Sequence, residues 1–404
     1  MHDTSIYIHV PWCRRRCPYC DFYLVVGKPD QGFVDHIKAE WHEREKNWHQ
    51  GQAKTLYFGG GTPSLLAPLN IASLVGFFHE RGLLALDAEV TIEVNPEDVT
   101  KEFALGIMDA GINRISLGIQ SFDDQVLRFL GRKHRGADAR RALLDLVHAG
   151  FSNISLDLII GLHENPLTLI ETIKEIHGYG IPHISAYLLT IEESTNFHKR
   201  VKKGQLRVPS DDAQADCYSL VQETLLGLGF QQYDISSYAQ AGFMSRHNQV
   251  YWGDGSYIGL GPGAHSMRFL PDGGIERAHN QTLLADWLKN PAGEARFSRE
   301  RLGPHEALLE SLAFGLRNMV RGIKPEHLAM RHGVALPLRF VEVVEKYKNC
   351  GWLIDDASGI RLTSSGALFA DAIMRDILSL SPADEREPGR KNTTDKSDED
   401  GGKT

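Results

Sequence analysis

Short apolar runs alternate with longer segments of helical periodicity through the first half of the chain. The runs predict six strands, over Ser5–Val10, Thr55–Phe58, Val90–Val94, Arg114–Ile119, Ile154–Ile160 and His183–Leu188. The segments between them predict helices over Phe33–Trp48, Leu69–Glu80, Lys101–Asp109, Ala137–Ala149 and Leu167–His177. This regular alternation indicates parallel βαβ units. Six units are too few for a closed eight-stranded barrel, and both a partial barrel and a doubly wound sheet fit them.

Polar residues and glycines gather where the predicted strands end. Three cysteines follow the first strand, Gly59–Pro63 (GGGTP) follows the second, and Glu93–Pro96 (EVNP) ends the third. Gln120 follows the fourth strand, and Asp157 lies on the fifth. Barrel enzymes build their sites at the carboxyl ends of such strands. We therefore predict an α/β fold in which residues 1–195 form a partial (β/α)6 barrel.

The pattern changes in the second half of the chain. Residues 235–285 are rich in Gly, Ser, Tyr and Asn and predict irregular or short-strand structure, so we expect residues 196–299 to extend the barrel and link it onward. Residues 300–380 predict a smaller winged-helix-like α+β domain with helices over His305–Arg317, Pro325–His332 and Leu338–Asn349, a hairpin over Trp352–Ile354 and Ile360–Leu362, and a closing helix. Residues 381–404 lack large apolar side chains and are expected to be disordered.

Composition narrows the class of protein. The 404 residues are 42% hydrophobic and 24% charged, which is ordinary for a globular chain, and the net charge of −8 gives no reason to expect a nucleic acid partner. The winged-helix-like segment carries ten basic and ten acidic residues, so its net charge is zero. No run approaches the roughly 20 apolar residues of a membrane helix, and the first residues do not resemble a signal peptide. We expect a cytoplasmic protein, with peripheral membrane contact left open.

Three of the five cysteines, Cys13, Cys17 and Cys20, have C-x3-C-x2-C spacing. Such crowding is a poor disulfide framework and indicates metal ligands. Three thiolates can hold three irons of a [4Fe–4S] cluster and leave the fourth open. The alternative is a zinc site, which would need a fourth ligand such as His9. The other two cysteines, Cys217 and Cys350, are expected to be packing residues.

The cysteine spacing and the GGGTP segment resemble the radical S-adenosylmethionine (SAM) superfamily, and more closely its coproporphyrinogen dehydrogenase (HemN-like) group. The resemblance implies a [4Fe–4S] cluster chelated by SAM, with GGGTP near the SAM amino group. A carboxylate suits ribose hydroxyls, and an arginine suits the SAM carboxylate. Carried over position by position, the resemblance assigns SAM contacts to Tyr7, Tyr19, Gly60, Gly61, Thr62, Glu93, Gln120, Arg132 and Asp157.

Three features depart from the dehydrogenases. Their motif continues to a fourth cysteine where this chain has Phe22, and they carry a substantial N-terminal arm where twelve residues precede Cys13 here. The third feature, His247-Asn248-Gln249-Val250-Tyr251-Trp252, resembles the H-N-x-x-Y-W motif of HemW-type haem chaperones. An exposed imidazole is a good axial ligand for haem iron, and aromatic neighbours can shield a porphyrin face. The resemblance therefore implies haem binding by His247, Asn248, Tyr251 and Trp252, with His247 as the candidate axial ligand.

The combined expectation is a haem chaperone that passes haem to an acceptor haemoprotein. Its cofactors would be a [4Fe–4S] cluster, SAM and haem, and its electron donor a flavodoxin or an NADH-dependent reductase. No catalytic residue is assigned, SAM cleavage is expected to be possible, and coproporphyrinogen oxidase activity is not expected. Two alternatives stay open: an oxygen-independent coproporphyrinogen III oxidase, and a radical SAM methyltransferase for which the H-N-x-x-Y-W segment would be irrelevant.

Overall fold

The computed structural model describes residues 4–48, 51–162, 165–253, 255–291 and 297–381. The segment predicted to be disordered, 381–404, lies outside these residues except for Ser381. No helix in the described ranges is long and apolar enough to cross a membrane.

The first half of the chain forms the alternating units that the sequence predicts. In chain order its elements are β1 (Thr4–Val10), β2 (Trp12–Cys13), β3 (Val25–Val26), α1 (Phe33–Trp48), β4 (Ala53–Gly60), α2 (Pro68–Glu80), β5 (Leu84–Val94), α3 (Lys101–Asp109), β6 (Arg114–Gln120), α4 (Asp124–Phe129), α5 (Gly136–Ala149), β7 (Ile154–Ile160), α6 (Pro166–Gly178) and β8 (His183–Leu188). The short helix α4 was not predicted, because six residues give too little periodicity. Strand β5 begins six residues before its predicted start, in a stretch where polar Asp87 and Glu89 interrupt the apolar run.

Six parallel strands form the centre of the sheet, in the order β1-β4-β5-β6-β7-β8. The predicted partial barrel is therefore confirmed. Side chains alternate across each strand. On β1, Ile6 and Ile8 are fully buried in the apolar core, whereas Tyr7 and His9 contact polar and aromatic groups inside the barrel. The barrel interior is thus polar, and the hydrophobic core lies between the sheet and its helices.

Residues 196–299 extend this sheet at both edges. Their elements are α7 (Asn196–Lys202), α8 (Asp211–Gly227), β9 (Gln231–Asp234), β10 (Ser237–Ala239), α9 (Arg246–Tyr251), β11 (Ser256–Leu260), β12 (His265–Phe269), β13 (Ile275–Asn280), α10 (Leu284–Lys289) and β14 (Phe297–Leu302). Strand β11 pairs parallel with β1, and β12 to β14 continue antiparallel, while β10 and β9 extend the edge beyond β8. Together with the six central strands, these strands make one sheet of twelve within the described residues.

The C-terminal domain has its own apolar core. It contains α11 (Pro304–Gly315), α12 (Pro325–His332), α13 (Arg339–Asn349), the hairpin β15 (Leu353–Asp356) with β16 (Gly359–Leu362), and α14 (Ala370–Leu378). Three helices, a two-stranded wing and a closing helix confirm the predicted winged-helix-like α+β domain. The Met319 amide donates to the Tyr233 carbonyl at 3.1 Å, and Gln222 Nε2 donates to the Ser364 carbonyl at 3.0 Å. These bonds join the domain to the barrel.

Candidate cofactor site

A cavity of about 510 Å³ lies at the carboxyl ends of the barrel strands. Cys13, Cys17 and Cys20 all line it, as does Phe22, which is 68% exposed. The lining also includes eight of the nine positions predicted for SAM, namely Tyr19, Gly60, Gly61, Thr62, Glu93, Gln120, Arg132 and Asp157. Residues spread over 145 positions of the chain therefore converge because parallel strands end at one edge of a sheet.

The cysteine loop is fixed at both its start and its middle. Thr62 Oγ1 donates a hydrogen bond to Cys13 Sγ at 3.2 Å. Arg14 pairs with the buried carboxylate of Asp98 at 2.6 Å, which ties the loop to the turn after β5. The Cys20 amide donates to the Cys17 carbonyl at 3.2 Å and closes the turn between these two thiols.

The thiols suit a multi-iron cluster in their chemistry. Burial raises the pKa of the Cys13 thiol to about 11, although the hydrogen bond from Thr62 opposes this. A buried thiolate needs nearby cations, and iron supplies them when it replaces the proton. No three His, Cys, Asp or Glu side chains of the described residues are placed to hold one metal ion together. The three cysteines instead share the wall of one cavity that has room for a larger group.

The glycine loop lets the backbone form part of the cavity wall. Gly60 has φ +106°, and a Cβ there would lie 2.5 Å from the His9 ring. A Cβ on Gly61 would lie 2.7 Å from the Trp12 carbonyl oxygen. Any side chain at these positions would clash, so glycine is required where the chain passes against β1 and the start of β2.

Two buried carboxyl groups face the cavity. Glu93 accepts hydrogen bonds from Tyr57 Oη at 2.9 Å and from the Gly60 amide at 3.1 Å. Burial raises the pKa of Glu93 to about 7, because these bonds offset only part of the desolvation. Burial also raises the pKa of Asp157 to about 6, against a hydrogen bond of 2.7 Å from Ser116 Oγ. Both carboxyls lack a strong counter-charge, which suits them to bind a cationic ligand with hydroxyl groups.

Arg132 supplies positive charge beside the cysteines. Its Nη2 donates to Asn95 Oδ1 at 2.5 Å and to the Gly118 carbonyl at 3.0 Å, and its Nη1 lies 3.9 Å from Cys17 Sγ. Its buried Nε has no hydrogen-bond partner within the described ranges. This donor is available to a ligand carboxylate.

Gln120 ends β6 in a strained conformation. Its φ of +63° is the sole positive value at a non-glycine residue in the described part of the chain. Such strain persists only where the surroundings enforce it, and it is concentrated at binding sites.

Tyr7 is the predicted SAM residue that does not line the cavity. It lies deeper in the barrel, where its hydroxyl contacts His9 Nδ1 at 3.2 Å and its ring stacks 6.0 Å from Tyr57. Tyr7 faces inward, but its level on β1 is nearer the middle of the barrel than the rim. It supports the residues of the cavity floor.

Sequence reasoning missed three residues of the wall. Asn95 connects Thr62 and Arg132: its Nδ2 donates a hydrogen bond to Thr62 Oγ1, and its Oδ1 accepts one from Arg132 Nη2. Burial alone would raise the pKa of Glu97, but the hydrogen bond from His134 and the charge of Arg132 bring it to about 2. Asn95 and Glu97 follow the third predicted strand directly, so their position in the chain was a usable signal. Tyr187 on β8 also lines the cavity, at the end of the last predicted strand.

The exposed imidazole expected at His247 is not found. His247 is 1% exposed, and both ring nitrogens are occupied: Nδ1 bonds to Thr55 Oγ1 at 2.6 Å and Nε2 to Tyr251 Oη at 2.9 Å. Its ring stacks on Tyr57 at 4.7 Å, and burial lowers its pKa to about 3. The physical reason is that α9 lies across the amino-terminal end of the barrel and directs this face inward.

The other three residues of the motif do not share one surface. Tyr251 faces the barrel with His247, whereas the Nε1 of Trp252 donates to Asp234 Oδ2 on β9 at 3.0 Å. The guanidinium of Arg317, from the C-terminal domain, stacks over the Trp252 ring. Asn248 is half-buried on α9. Ser245 caps this helix, because its Oγ accepts a hydrogen bond from the backbone amide of Asn248. A haem face formed by all four side chains therefore stays a prediction.

Comparisons with known proteins bear on the whole chain. The Radical SAM superfamily matches residues 7–176, and the HemN C-terminal domain matches residues 302–369. The heme chaperone HemW of Synechocystis sp. is 38% identical over 328 residues, which cover 78% of each chain. The chain belongs to the HemW-type radical SAM family. A mitochondrial member of the wider group, radical S-adenosyl methionine domain-containing protein 1 of Mus musculus, is 33% identical over 388 residues, covering 93% of this chain and 87% of that protein.

A solved structure shows the same architecture. The coproporphyrinogen III oxidase HemN of Escherichia coli, described as a radical SAM enzyme, superposes with a TM-score of 0.75 and covers 94% of this chain and 90% of its own. At 21% identity this likeness establishes the fold alone. Both parts of the HemW-type chain, barrel and C-terminal domain, therefore have counterparts in HemN.

Proposed function

We propose that this protein is a haem chaperone that binds haem and transfers it to an acceptor haemoprotein. The observation that carries the proposal is the 38% identity to a protein named a heme chaperone over 78% of both chains. The H-N-x-x-Y-W segment and Phe22 in place of a fourth cysteine support the same branch of the family.

We further propose that Cys13, Cys17 and Cys20 hold a [4Fe–4S] cluster chelated by SAM. When bound, such a cluster supplies one electron to SAM. Glu93 and Asp157 would accept hydrogen bonds from the ligand's hydroxyl or ammonium groups, and Arg132 Nε would donate to its carboxylate. The glycine loop lets the ligand approach the backbone, and Phe22 shields the mouth of the cavity.

We also propose an electron donor and a peripheral contact with the membrane. A flavodoxin or an NADH-dependent reductase would deliver the electron near the exposed cysteine loop, and peripheral membrane contact would bring the protein to membrane-bound acceptors. For His247 to ligate haem iron, one of its two hydrogen bonds has to break and its ring has to leave the barrel interior. We therefore propose His247 chiefly as the residue that holds α9 against the barrel.

The second candidate function is oxygen-independent coproporphyrinogen III oxidation. Its support is the shared fold with HemN across both domains. The two functions differ in one measurable respect, because the oxidase converts coproporphyrinogen anaerobically and the chaperone does not.

The test combines both readouts in one preparation. After anaerobic cluster reconstitution, haem is titrated and followed by its Soret band, and coproporphyrinogen conversion is assayed in the same sample. We expect stoichiometric haem uptake, release to an apo-haemoprotein and no turnover. Turnover without specific haem uptake would make the protein the oxidase.

A further inference from the structure

A second cavity, of about 1030 Å³, lies between the barrel and the C-terminal domain, and we call it the interdomain cavity. Lys54 at the start of β4, residues of α9 and residues of α12 form its walls. It therefore opens at the amino-terminal end of the barrel strands, opposite to the cysteine cavity. Its volume is at the top of the range of about 300–1,000 Å³ that small-molecule pockets occupy.

The described lining of the interdomain cavity carries positive charge without acidic residues. It contains five cationic side chains, Lys54, Arg246, Arg321, Lys324 and Arg331, together with His327. No Asp or Glu is found among the described lining residues. Asp254, between the lining residues Gly253 and Gly255, lies outside the described ranges. In a chain of net charge −8, this concentration of cations is a local exception.

These cations are only partly compensated. Arg246 donates to the Asp87 carbonyl at 2.6 Å and forms an ion pair of 3.5 Å with the Asp87 carboxylate. Arg321 and Lys324 are exposed, and neither side chain makes a hydrogen bond or ion pair with the residues that the structure describes. Like charges gathered in a concave site raise the local potential and favour an anion of matching size.

The cavity wall also has an apolar component. Val250, Trp252, Ile323 and Leu328 line it beside the cations. The Trp252 ring is held by the guanidinium of Arg317, which stacks over it at 4.2 Å. Apolar and cationic groups together suit a flat, largely apolar ligand that carries carboxylates at one edge.

His327 differs from His247 in the property that ligation requires. It is exposed on α12, and its ring nitrogens make no hydrogen bond within the described part of the chain. Leu328 and Arg331 lie on the same helix within one turn, so apolar, imidazole and guanidinium groups follow one helical face. An accessible imidazole nitrogen is the group that ligates haem iron.

We propose that the interdomain cavity binds haem, with Arg321 and Lys324 pairing with the propionates and His327 as the axial ligand. This proposal rests on the proposed function, because it assigns the haem of the chaperone to a site. It places the haem beside α9, which explains how the H-N-x-x-Y-W helix contributes without a direct bond from His247.

The experiment uses the full-length protein with its cluster reconstituted. The double variant Arg321→Glu/Lys324→Glu is compared with Lys101→Glu/Lys203→Glu, which reverses two exposed charges outside the cavity. We expect the first variant to bind haem at least about tenfold more weakly at physiological salt, and the second to match the wild type. Haem dimethyl ester, which lacks the propionate charge, should not distinguish the variants. Far-ultraviolet circular dichroism and melting curves confirm that both are folded.

The ligand assignment has its own readout. His327→Ala should shift the Soret band of bound ferric haem, whereas His247→Ala should leave its position unchanged. A Soret shift with His247→Ala alone would overturn the assignment of His327.

Failure of the site and failure of the function give different results. If the wild type takes up no haem, the chaperone proposal itself fails. If haem binds equally well to both double variants, the chaperone stands and the interdomain site is wrong. If the Arg321→Glu/Lys324→Glu variant loses binding of NADH but keeps haem, the cavity takes a nucleotide, and the haem assignment is overturned.

Discussion

The two cavities lie at opposite ends of the same barrel and are built differently. From Thr55 to Gly60, β4 spans ~17 Å between them at about 3.3 Å per residue. The cysteine cavity is lined by strand ends and by carboxyls whose pKa values burial raises to about 6 and 7. The interdomain cavity is lined by cations and depends on the docking of a second domain. A site built by one sheet is pre-organised, whereas a site between domains is only as rigid as their contact.

Aromatic side chains separate the two cavities. His247 stacks on Tyr57 and bonds to Tyr251, and Tyr57 bonds to Glu93 at the floor of the cysteine cavity. Substitutions on one side of this layer should therefore leave the other side largely unchanged. The first and last of the following predictions test that independence, and the other two test how the cysteine cavity is built.

The largest effect is expected from Cys13→Ala. Loss of one of three thiolates should abolish the absorbance of the [4Fe–4S] cluster and SAM binding, while haem uptake stays within about twofold of the wild type. The matched control is Cys350→Ala, an exposed thiol in the C-terminal domain, which should keep the full iron content. Loss of haem uptake together with the cluster would contradict the separation of the two sites.

Gly60→Ala should destabilise the protein by about 4 kcal/mol, because strain at positive φ adds to a clash with the His9 ring. Urea denaturation measures this change. Gly180→Ala is the control. Gly180 also has a positive φ (+72°), but a Cβ added there would have no atom within 4 Å. Its cost should be about 1 kcal/mol. Equal costs at both positions would show that Gly60 is needed only for its backbone angle.

Glu93→Gln should change how stability depends on pH. The folded pKa of about 7 lies above the ordinary 4.5, so ionisation of Glu93 destabilises the folded protein. This loss of stability is absent below pH 4.5, grows as the pH rises and is complete above pH 7. Between pH 5 and pH 8, the free energy of unfolding of the variant should therefore rise by up to about 3 kcal/mol relative to that of the wild type. Denaturation of SAM-free protein at both pH values checks this. Glu342→Gln, which removes an exposed carboxyl, should show no such gain, and a flat difference for Glu93→Gln would rule out a buried charge.

The smallest effect is expected at the domain contact. Arg317→Met removes the stacking over Trp252 and the 3.6 Å ion pair with Asp234, which should cost about 1–2 kcal/mol. We expect weaker haem binding and unchanged SAM binding, measured by titration. Arg361→Met, which breaks an ion pair with Asp356 on the wing, is the control. Equal loss of SAM and haem binding would mean that the cavities are coupled through the fold.

The local pattern of hydrophobic and polar residues alone determined the central part of the fold, which is the parallel barrel. Apolar runs and helical periodicity predicted the six parallel strands and most of their helices, because buried parallel strands leave a strong local signature. Spacing also placed Cys13, Cys17 and Cys20 on one loop, and the order of strands placed Glu93, Gln120 and Asp157 at one end of the barrel. These positions follow from chain direction, which the sequence specifies.

Tertiary structure decided the orientation of side chains and the contacts between distant segments. Strands of three to six residues at the sheet edges have too little periodicity to predict their pairing, so the twelve-stranded sheet was not foreseen. The H-N-x-x-Y-W residues were recognisable from sequence, but the burial of His247 depends on which face of α9 the barrel covers. The interdomain cavity likewise exists only because two segments 78 residues apart, around Arg246 and Lys324, dock against each other. Local sequence specifies periodicity, whereas long-range packing specifies which face of each element meets solvent.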